Sequence, residues 1–180
     1  MNHLIKHSLQ LAVPQFRLDL HHGIHGISHW ARVWRNAREL CEVLDLDPTV
    51  PCLFSFLHDS QRYSDGRDED HGPRAVQWLD RLFTQRKIDV RLSDFHLLCV
   101  AIDGHSRGET EAHPLVQVCW DSDRLDLGRV GTMPNPLYLC TEAAKRPQMI
   151  QEAWNRSTER RSHEETTCSC TDCDCRVSVR

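Results

Sequence analysis

Between Ser28 and Gln151, apolar residues recur at steps of three and four, which is the period of an α-helix with one buried face. Ser28 is predicted to cap the first of these helices, because a serine hydroxyl can accept a hydrogen bond from a free amide of the first turn. The predicted inward face of this helix carries Trp30, Val33, Ala37, Leu40, Cys41 and Leu44. This segment is therefore expected to be an amphipathic helix packed against a core.

The next predicted helix is apolar on most of its surface and ends at a His-Asp pair. Asp47 and Pro48 predict its start, since aspartate favours the N-cap position and proline the first turn. The helix then runs through Leu53, Phe54 and Leu57 to His58 and Asp59. The polar segment that follows, SQRYSDGRDED, is rich in turn residues and is predicted to be a loop.

The same helical period continues through the rest of the chain. A third helix is predicted from about Asp70, a fourth from a cap at Ser93, and a fifth from Pro114. His105 falls where the fourth helix is expected to end, and a last helix is predicted over 141–155. No segment shows the convincing alternation that is typical of a β-strand. The predicted fold class is therefore all-α.

The composition predicts one compact domain followed by a tail. The chain has 180 residues, of which 39% are hydrophobic and 27% are charged, and we expect a single helical domain over residues 1–155. Residues 156–180 are polar and cysteine-rich, and they are predicted to be disordered because they offer little apolar surface to bury. Four thiolates of the tail could bind a soft metal, but their spacing differs from that of a structural zinc ribbon: Cys168, Cys170, Cys173 and Cys175.

Charge and hydropathy narrow the range of partners. The net charge of −4 gives no broad basic face, which argues against extended nucleic-acid binding. No apolar run reaches bilayer length, and the segment LQLAVPQF near the start is too short for a targeting signal. Five cysteines fall singly on predicted apolar helix faces and are expected to be reduced: Cys41, Cys52, Cys99, Cys119 and Cys140. These features predict a cytoplasmic protein that acts on a small ligand and has no membrane contact.

The residues with the clearest chemistry are histidines and aspartates at the ends of the predicted helices. His58 and Asp59 place an imidazole and a carboxylate side by side, and His29 precedes them in the segment HGISHWARV. His71 and His105 follow, and Asp123 lies in WDSDRLDLG. Imidazole nitrogens together with carboxylate oxygens suit zinc, manganese, iron or nickel better than calcium. The pattern therefore predicts a metal-dependent enzyme, provided that these separated side chains meet.

These motifs resemble, in order, those of the HD-domain metal-dependent phosphohydrolase superfamily. HWARV is similar to the H-x-x-R-V segment that opens such domains, FLHDSQR to their second motif, and DSDRLD to their last. The resemblance covers residues 25–145 and implies an HD-domain-like helical bundle. It implies that His29, His58, Asp59 and Asp123 are metal ligands, with Asp123 rather than Asp121 as the last.

The resemblance also implies a second metal ion. His71 and His105 resemble the two additional histidines of HD proteins that hold two ions. Asp59 would then bridge two divalent ions (iron, manganese, zinc, cobalt or nickel), with His29, His58 and Asp123 completing one site and His71 and His105 the other. The implied activity is hydrolysis of a phosphate ester or anhydride, in a nucleotide or another small phosphorylated metabolite, by a metal-activated water.

Several side chains beside these ligands are weaker candidates. Arg62 occupies the place, four positions after His58, where related proteins often carry a lysine that binds substrate phosphate, so Asp59 and Arg62 are assigned catalytic roles. Arg107 is a similar but weaker candidate. His25 is expected in a loop, because Gly26 follows it, and to support the ligands or contact the substrate. A pair formed by Arg124 and Asp126 is expected to orient Asp123.

Two other functional classes stay open. Some HD relatives with two irons activate oxygen and cleave carbon-carbon or carbon-phosphorus bonds, and the ligand set does not separate this chemistry from hydrolysis. A non-catalytic metal- or ligand-binding module is the third class. The chain lacks a Gly-Tyr-Pro segment after His105, which argues against cleavage of cyclic dinucleotides. The substrate, the native metal and the oligomeric state are left open.

Overall fold

The computed structural model describes residues 1–159, which form seven α-helices and three short 3₁₀ turns and contain no β-strand. The all-α prediction is thereby confirmed. The four cysteines of the CSCTDCDC segment lie outside the described residues. The helices are α1 Asn2–Ala12, α2 Ile27–Leu44, α3 Thr49–Leu57, α4 His71–Thr84, α5 Leu92–Gly104, α6 Pro114–Arg124 and α7 Pro147–Thr158, and the 3₁₀ turns are Val13–Gln15, Leu127–Val130 and Pro136–Tyr138.

Helix α3 lies at the centre of the bundle. Every residue from Val50 to Leu57 is buried, and the helix packs against α1, α2, α5 and α6. A helix that is apolar on all sides is stable only when other elements cover every face, so the sequence VPCLFSFL fits this central position. Because His58 is the C-cap of α3, the His-Asp pair emerges in the interior of the protein.

The buried side chains form two apolar clusters, and α2 contributes residues to both. The larger has members on α1 to α6, and its biggest buried side chains include Trp30, Phe54 and Leu98. The smaller joins α2, α6, α7 and the segment before α7, and includes Leu40, Val118, Leu125, Leu139 and Ile150. These clusters fix the helix ends that carry the histidines and aspartates.

Two predicted helix caps are wrong. Helix α2 begins at Ile27 with Gly26 as its N-cap, so Ser28 lies inside the first turn. Glycine is required there because a Cβ atom on Gly26 would lie 2.2 Å from the carbonyl oxygen of Leu20, which instead accepts a 2.8 Å hydrogen bond from the amide of Ile27. Tertiary contact with the preceding loop, rather than a serine hydroxyl, therefore sets the start of α2.

Helix α5 shows the same kind of departure. It begins at Leu92 with Arg91 as its N-cap, and Ser93 lies within its first turn. The guanidinium of Arg91 donates to both carboxylate oxygens of Asp94, at 2.8 and 3.1 Å, which ties the start of the helix to its first turn. An ion pair thus takes the place of the serine cap that the sequence predicts.

The predicted start of the last helix is also wrong. Residues 141–146 form turns, and α7 begins at Pro147. Proline has no amide hydrogen to donate and restricts the residue before it to extended backbone, and Arg146 has φ −61° and ψ 131°. Helix α1 is an element that the sequence prediction does not include, although Leu4, Ile5 and Leu9 pack partly buried against the larger cluster.

Other predicted boundaries are confirmed to within a residue. Asp47 Oδ1 accepts a 2.8 Å hydrogen bond from the amide of Thr49 at the start of α3, and His113 Nδ1 accepts one from the amide of Leu115 at the start of α6. The five predicted reduced cysteines form no disulfide, and three of them are buried. Within residues 1–159, none of the helices combines the length and apolar character needed to cross a bilayer.

Candidate metal centre

All six predicted ligands come together at the ends of helices. His29 lies in the first turn of α2, His71 is the first residue of α4, and Asp123 lies in the last turn of α6. His58 and Asp59 directly follow α3, and His105 directly follows α5. The helix ends meet in the interior, which explains how side chains far apart in the sequence share one site.

One half of the cluster is formed by His29, His58 and Asp123. His29 Nε2 lies 3.2 Å from His58 Nε2 and 3.4 Å from Asp123 Oδ1. His58 Nε2 lies 3.9 Å from the same carboxylate oxygen. Two imidazole nitrogens and one carboxylate oxygen thus lie close enough to bind a single ion.

Asp59 connects this half to a second one. Its Oδ2 atom lies 3.4 Å from His58 Nε2 and 3.6 Å from His29 Nε2. Its Oδ1 atom lies 3.4 Å from His71 Nε2 and 3.7 Å from His105 Nε2. The two oxygens of one carboxylate therefore face two different pairs of imidazoles.

The four histidines are held by hydrogen bonds at their other ring nitrogen. His58 Nδ1 lies 3.0 Å from the carbonyl oxygen of Phe54, and His105 Nδ1 lies 2.7 Å from that of Ile102. His71 Nδ1 is hydrogen-bonded to the carbonyl oxygen of Asp68, and His29 Nδ1 to the carboxylate of Asp126. Because these oxygens can only accept, each Nδ1 carries the proton and each Nε2 is the atom available to a metal.

The donor set fits divalent cations. Asp59 Oδ1 and Asp123 Oδ1 are buried and have no hydrogen-bond partner among the described residues. A buried carboxylate oxygen without a partner is costly, and so is the 2.8 Å approach of His71 Nε2 to His105 Nε2 when both present lone pairs. A bound cation would accept electron pairs from the carboxylate oxygens and from both imidazole nitrogens, and so would offset both costs. The mixture of imidazole and carboxylate favours zinc, manganese, iron, cobalt or nickel.

Comparison with known proteins supports this architecture. No protein-family model matches the sequence, and no curated protein matches it. The structure is similar to the crystal structure of a predicted HD superfamily hydrolase from an uncultured Thermotogales bacterium, with a TM-score of 0.61 and 22% sequence identity over 86% of this chain and 85% of that one. The chain has the HD-domain fold. The resemblance predicted from the motifs is thus confirmed at the level of fold.

The ionisation of this cluster of histidines and aspartates suits metal binding. Burial alone would raise the pKa of Asp123, but His58, Arg129 and His29 outweigh it and lower this pKa to about 2. Burial alone would also raise the pKa of Asp59. The surrounding histidines, His58 first among them, outweigh this effect and hold the pKa well below its usual range. Burial, together with the nearby His105, lowers the pKa of His71 to about 4. Both carboxylates are therefore charged and His71 is neutral near pH 7, as metal ligands must be.

Asp126 holds the ring of His29 in orientation from the side opposite the cluster. Its carboxylate accepts from Arg32 Nε at 2.6 Å and from Arg32 Nη2 at 3.1 Å, while Oδ2 also bonds to His29 Nδ1 at 2.7 Å. The predicted pair between Arg124 and Asp126 is wrong. Arg124 donates to the carbonyls of Tyr138 and Glu109 instead, because it ends α6 facing the segment before α7, whereas Asp126 lies beyond the helix and faces α2.

The two arginine candidates have different surroundings. Arg62 Nη1 lies 3.5 Å from Asp59 Oδ1 and 3.3 Å from His71 Nε2, so the structure brings this side chain to the cluster. Arg107 is half exposed and is bonded to Asp103 one helical turn earlier. Arg107 therefore does not join the site.

Two further residues that were not predicted as ligands meet the cluster: His25, expected to support the ligands or contact the substrate, and Arg129, which the sequence prediction does not include. His25 lies in the loop before α2, as expected, and its Nδ1 is 2.9 Å from Asp59 Oδ2. Its position four residues before His29 is the one signal that the sequence offers. Arg129 Nη2 lies 3.9 Å from Asp123 Oδ1, and no motif indicates it, because the 3₁₀ turn Leu127–Val130 places it there.

Proposed function

We propose that this protein is a metal-dependent phosphohydrolase that cleaves an ester or anhydride bond in a nucleotide or another small phosphorylated metabolite. The observation that carries the proposal is the position of Asp59, whose two oxygens face two pairs of histidines. Such a carboxylate is suited to hold two cations close together, which is a common arrangement in enzymes that hydrolyse phosphate esters. The HD-domain fold agrees with this chemistry.

The proposal assigns each ligand to one of two ions. His29, His58 and Asp123 would hold the first, His71 and His105 the second, and Asp59 would contact both. Two divalent ions in such a site supply a water of lowered pKa and stabilise negative charge on the phosphoryl oxygens. Iron, manganese, zinc, cobalt and nickel are the candidates, since all accept imidazole together with carboxylate.

The protein's own side chains have three tasks in this scheme. Asp126 and the main-chain carbonyls hold the imidazole rings in orientation, so that little rearrangement accompanies metal binding. Arg62 would donate to a phosphoryl oxygen of the substrate through Nη1, which is its atom nearest the cluster. No covalent intermediate with the protein is needed, because water is the nucleophile.

The proposed partners are small. The net charge of −4 offers no general attraction for a nucleic-acid backbone, so a small phosphorylated substrate is the natural partner. We also propose that the protein acts in the cytoplasm without membrane contact, in keeping with the sequence prediction.

The test is metal analysis combined with a substrate screen. Protein purified without added metal is assayed for bound ions, stripped with a chelator, reloaded with each candidate ion and tested on nucleotides and sugar phosphates. We expect phosphate release that disappears with chelator and returns with metal. His58→Ala should lose bound metal and activity, whereas His96→Ala, on the exposed face of α5, should keep both. Full metal content and rate in His58→Ala would contradict the proposal.

The donor set also favours a second candidate, a two-iron oxygenase, because four imidazoles and two carboxylates suit iron as well as zinc or manganese. An assay of the iron-loaded protein without oxygen separates the two, since hydrolysis needs no oxygen and oxidative cleavage does. A protein that binds metal tightly yet turns over no substrate under either condition would instead be a binding module.

A further inference from the structure

Two arginines flank the candidate metal centre at different carboxylates. Arg62 approaches Asp59 from the loop after α3, on the side of His71. Arg129 approaches Asp123 from the 3₁₀ turn after α6. Each therefore lies beside one of the two buried carboxylate oxygens that have no hydrogen-bond partner among the described residues.

Both guanidinium groups are held in the same way. Arg62 donates to the carbonyl oxygens of Ser64 and Gly66 through Nε and Nη2, at 3.2 and 2.9 Å, which leaves Nη1 directed toward the cluster. Arg129 donates to the carbonyl oxygens of Ile24 and Asp126 through Nε and Nη1, at 3.0 and 3.1 Å.

The remaining nitrogen of Arg129, Nη2, is again the one directed toward the cluster. Two nitrogens of each arginine are thus fixed by main-chain acceptors, and the third points toward the cluster, where Arg62 Nη1 also lies 3.3 Å from His71 Nε2.

Two other arginines near the site form hydrogen-bonded ion pairs with carboxylates. Arg32 forms a bidentate pair with Asp126, and Arg74 pairs with Asp68. Arg62 and Arg129, by contrast, make no hydrogen bond to a carboxylate within residues 1–159. The carboxylate oxygens nearest to them at the cluster are Asp59 Oδ1 at 3.5 Å and Asp123 Oδ1 at 3.9 Å. If those two carboxylates bind cations, as proposed, both guanidinium groups can pair with an anion that enters the site.

The exposure of the ligands shows where such an anion enters. The side chain of Asp123 is 16% exposed, whereas those of His29, His58, Asp59, His71 and His105 are at most 4% exposed. The site is thus most open beside Asp123 and its neighbour Arg129. The side chains of Arg129 and Arg62 are 10% and 11% exposed, so solvent reaches both guanidinium groups.

We infer that Arg62 and Arg129 together bind a terminal, dianionic phosphate, so that the enzyme prefers phosphomonoesters to phosphodiesters. This inference rests on the proposed function. A monoester near neutral pH carries a charge between about −1.5 and −2 and has three unsubstituted oxygens. A diester carries one charge and has two such oxygens. Two fixed donors beside two cations therefore match the monoester better, in charge and in number of acceptors.

The reaction itself is a simple hydrolysis. The oxygen of water forms a bond to phosphorus, the ester bond between phosphorus and the leaving oxygen breaks, and that oxygen takes up a proton from the water. The products are an alcohol and inorganic phosphate. The two arginines touch only the oxygens that do not change their bonding, so they are binding residues for both substrate and product.

Binding of inorganic phosphate tests the inference without relying on turnover. Metal-loaded wild-type protein is titrated calorimetrically with inorganic phosphate and with dimethyl phosphate, a monoanion. We expect tighter binding of inorganic phosphate. Arg129→Gln and Arg62→Gln should each weaken that binding by about tenfold or more, since each removes a charge-assisted hydrogen bond. Arg35→Gln, at an exposed site on α2, is the matched control and should bind as wild type does.

Arg129 also anchors two main-chain carbonyls, so its loss could disturb the fold. Arg129→Lys keeps the charge but not the forked geometry, and it should bind phosphate with an affinity between those of wild type and Arg129→Gln. Metal content and thermal unfolding of every variant are measured in parallel. Wild-type phosphate affinity in both glutamine variants, or tighter binding of dimethyl phosphate, would overturn the inference.

Activity assays then separate the two proposals. The wild type should hydrolyse p-nitrophenyl phosphate with a higher kcat/KM than bis(p-nitrophenyl) phosphate, and each glutamine variant should lose most of that preference. A protein that binds phosphate through both arginines but hydrolyses no phosphate ester would support the binding site and contradict the proposed function. Hydrolysis with an unchanged preference in the variants would support the function and contradict the role of the arginines.

Discussion

His29 and Asp126, which are 97 residues apart in the sequence, are joined by a 2.7 Å hydrogen bond between Nδ1 and Oδ2. The bond fixes the ring so that Nε2 faces Asp59 and Asp123. Arg32 holds the same carboxylate in place. The orientation of the first predicted ligand therefore depends on a residue that has no contact with the proposed ion.

Asp126→Asn should weaken metal binding without removing a ligand. Residues that orient metal-binding histidines typically contribute a factor of about 10–100 to metal affinity, and we expect a loss in that range. Competition with a chromophoric chelator measures it. Asp80→Asn, an exposed position on α4, serves as the control and should retain wild-type affinity. Equal affinities for the two variants would show that Asp126 does not orient a ligand.

Removal of metal should lower the thermal stability of the protein. An ion that binds only the folded state stabilises it by about 2.7 kcal/mol when its free concentration is 100 times the Kd. We therefore expect the unfolding temperature to fall on addition of chelator and to rise again when metal is restored. His58→Ala should show a much smaller response. Identical unfolding curves for wild type with metal and with chelator would contradict a metal site in the folded protein.

Gly72→Ala should disturb the half of the site formed by His71 and His105. A Cβ atom at this position would lie 2.7 Å from the carbonyl oxygen of Ile102, which is the acceptor that orients His105. The backbone cannot yield without separating α4 from α5, so we expect a loss of about 1–3 kcal/mol in the free energy of unfolding, measured by denaturant titration.

The same variant should bind fewer ions per chain, because Asp59 would lose its two partners on one side. Gly66→Ala is the matched control, since the nearest atom to a Cβ there is Ser64 Oγ at 3.5 Å. A stoichiometry in Gly72→Ala equal to that of this control would argue that the close approach of α4 and α5 is not needed for metal binding.

Mutation of Asp121 and mutation of Asp123 should have opposite effects on metal content. Asp121 is buried and accepts hydrogen bonds from the amides of Cys140 and Thr141 and from the hydroxyl of Thr141. Asp121→Ala leaves these donors without a partner, so it should lower the free energy of unfolding by about 1–3 kcal/mol while metal content is retained.

Asp123→Ala should lose metal content, and it should also lower the stability of the metal-free protein near pH 7, because the pKa of about 2 means that the ionised carboxylate stabilises the folded state. Metal analysis of both variants without chelator, and denaturant unfolding of both with chelator, check this contrast. Loss of metal in Asp121→Ala with retention in Asp123→Ala would reverse the assignment.

The helical core and the cluster could be predicted from the sequence because each depends on short-range signals. Apolar spacing indicates α2 to α6, and the HD-type motifs identify side chains that the structure brings together. The departures arise where a long-range contact decides the local structure. The start of α2 is set by the carbonyl of Leu20, and Arg124 turns away from Asp126 toward Tyr138. No spacing rule contains such information.

The position of Arg129 beside the site could not be predicted from the sequence either. It follows the last motif by a few residues, and an arginine in a short turn is usually solvated. Only the hydrogen bonds from its guanidinium to the carbonyls of Ile24 and Asp126 direct one nitrogen toward Asp123. The first of these acceptors lies 105 residues earlier in the chain, so the sequence near Arg129 gives no indication of its position.

The order of the ligands along the chain has a consequence for biosynthesis. A nascent polypeptide that has left the ribosome as far as His105 already contains Asp59, His71 and His105, the three donors of one proposed ion. The other proposed site still lacks Asp123 at that stage, and it lacks the carboxylate of Asp126 that orients His29. The donors proposed for the ion between His71 and His105 are therefore all synthesised before the donors of the other position are complete.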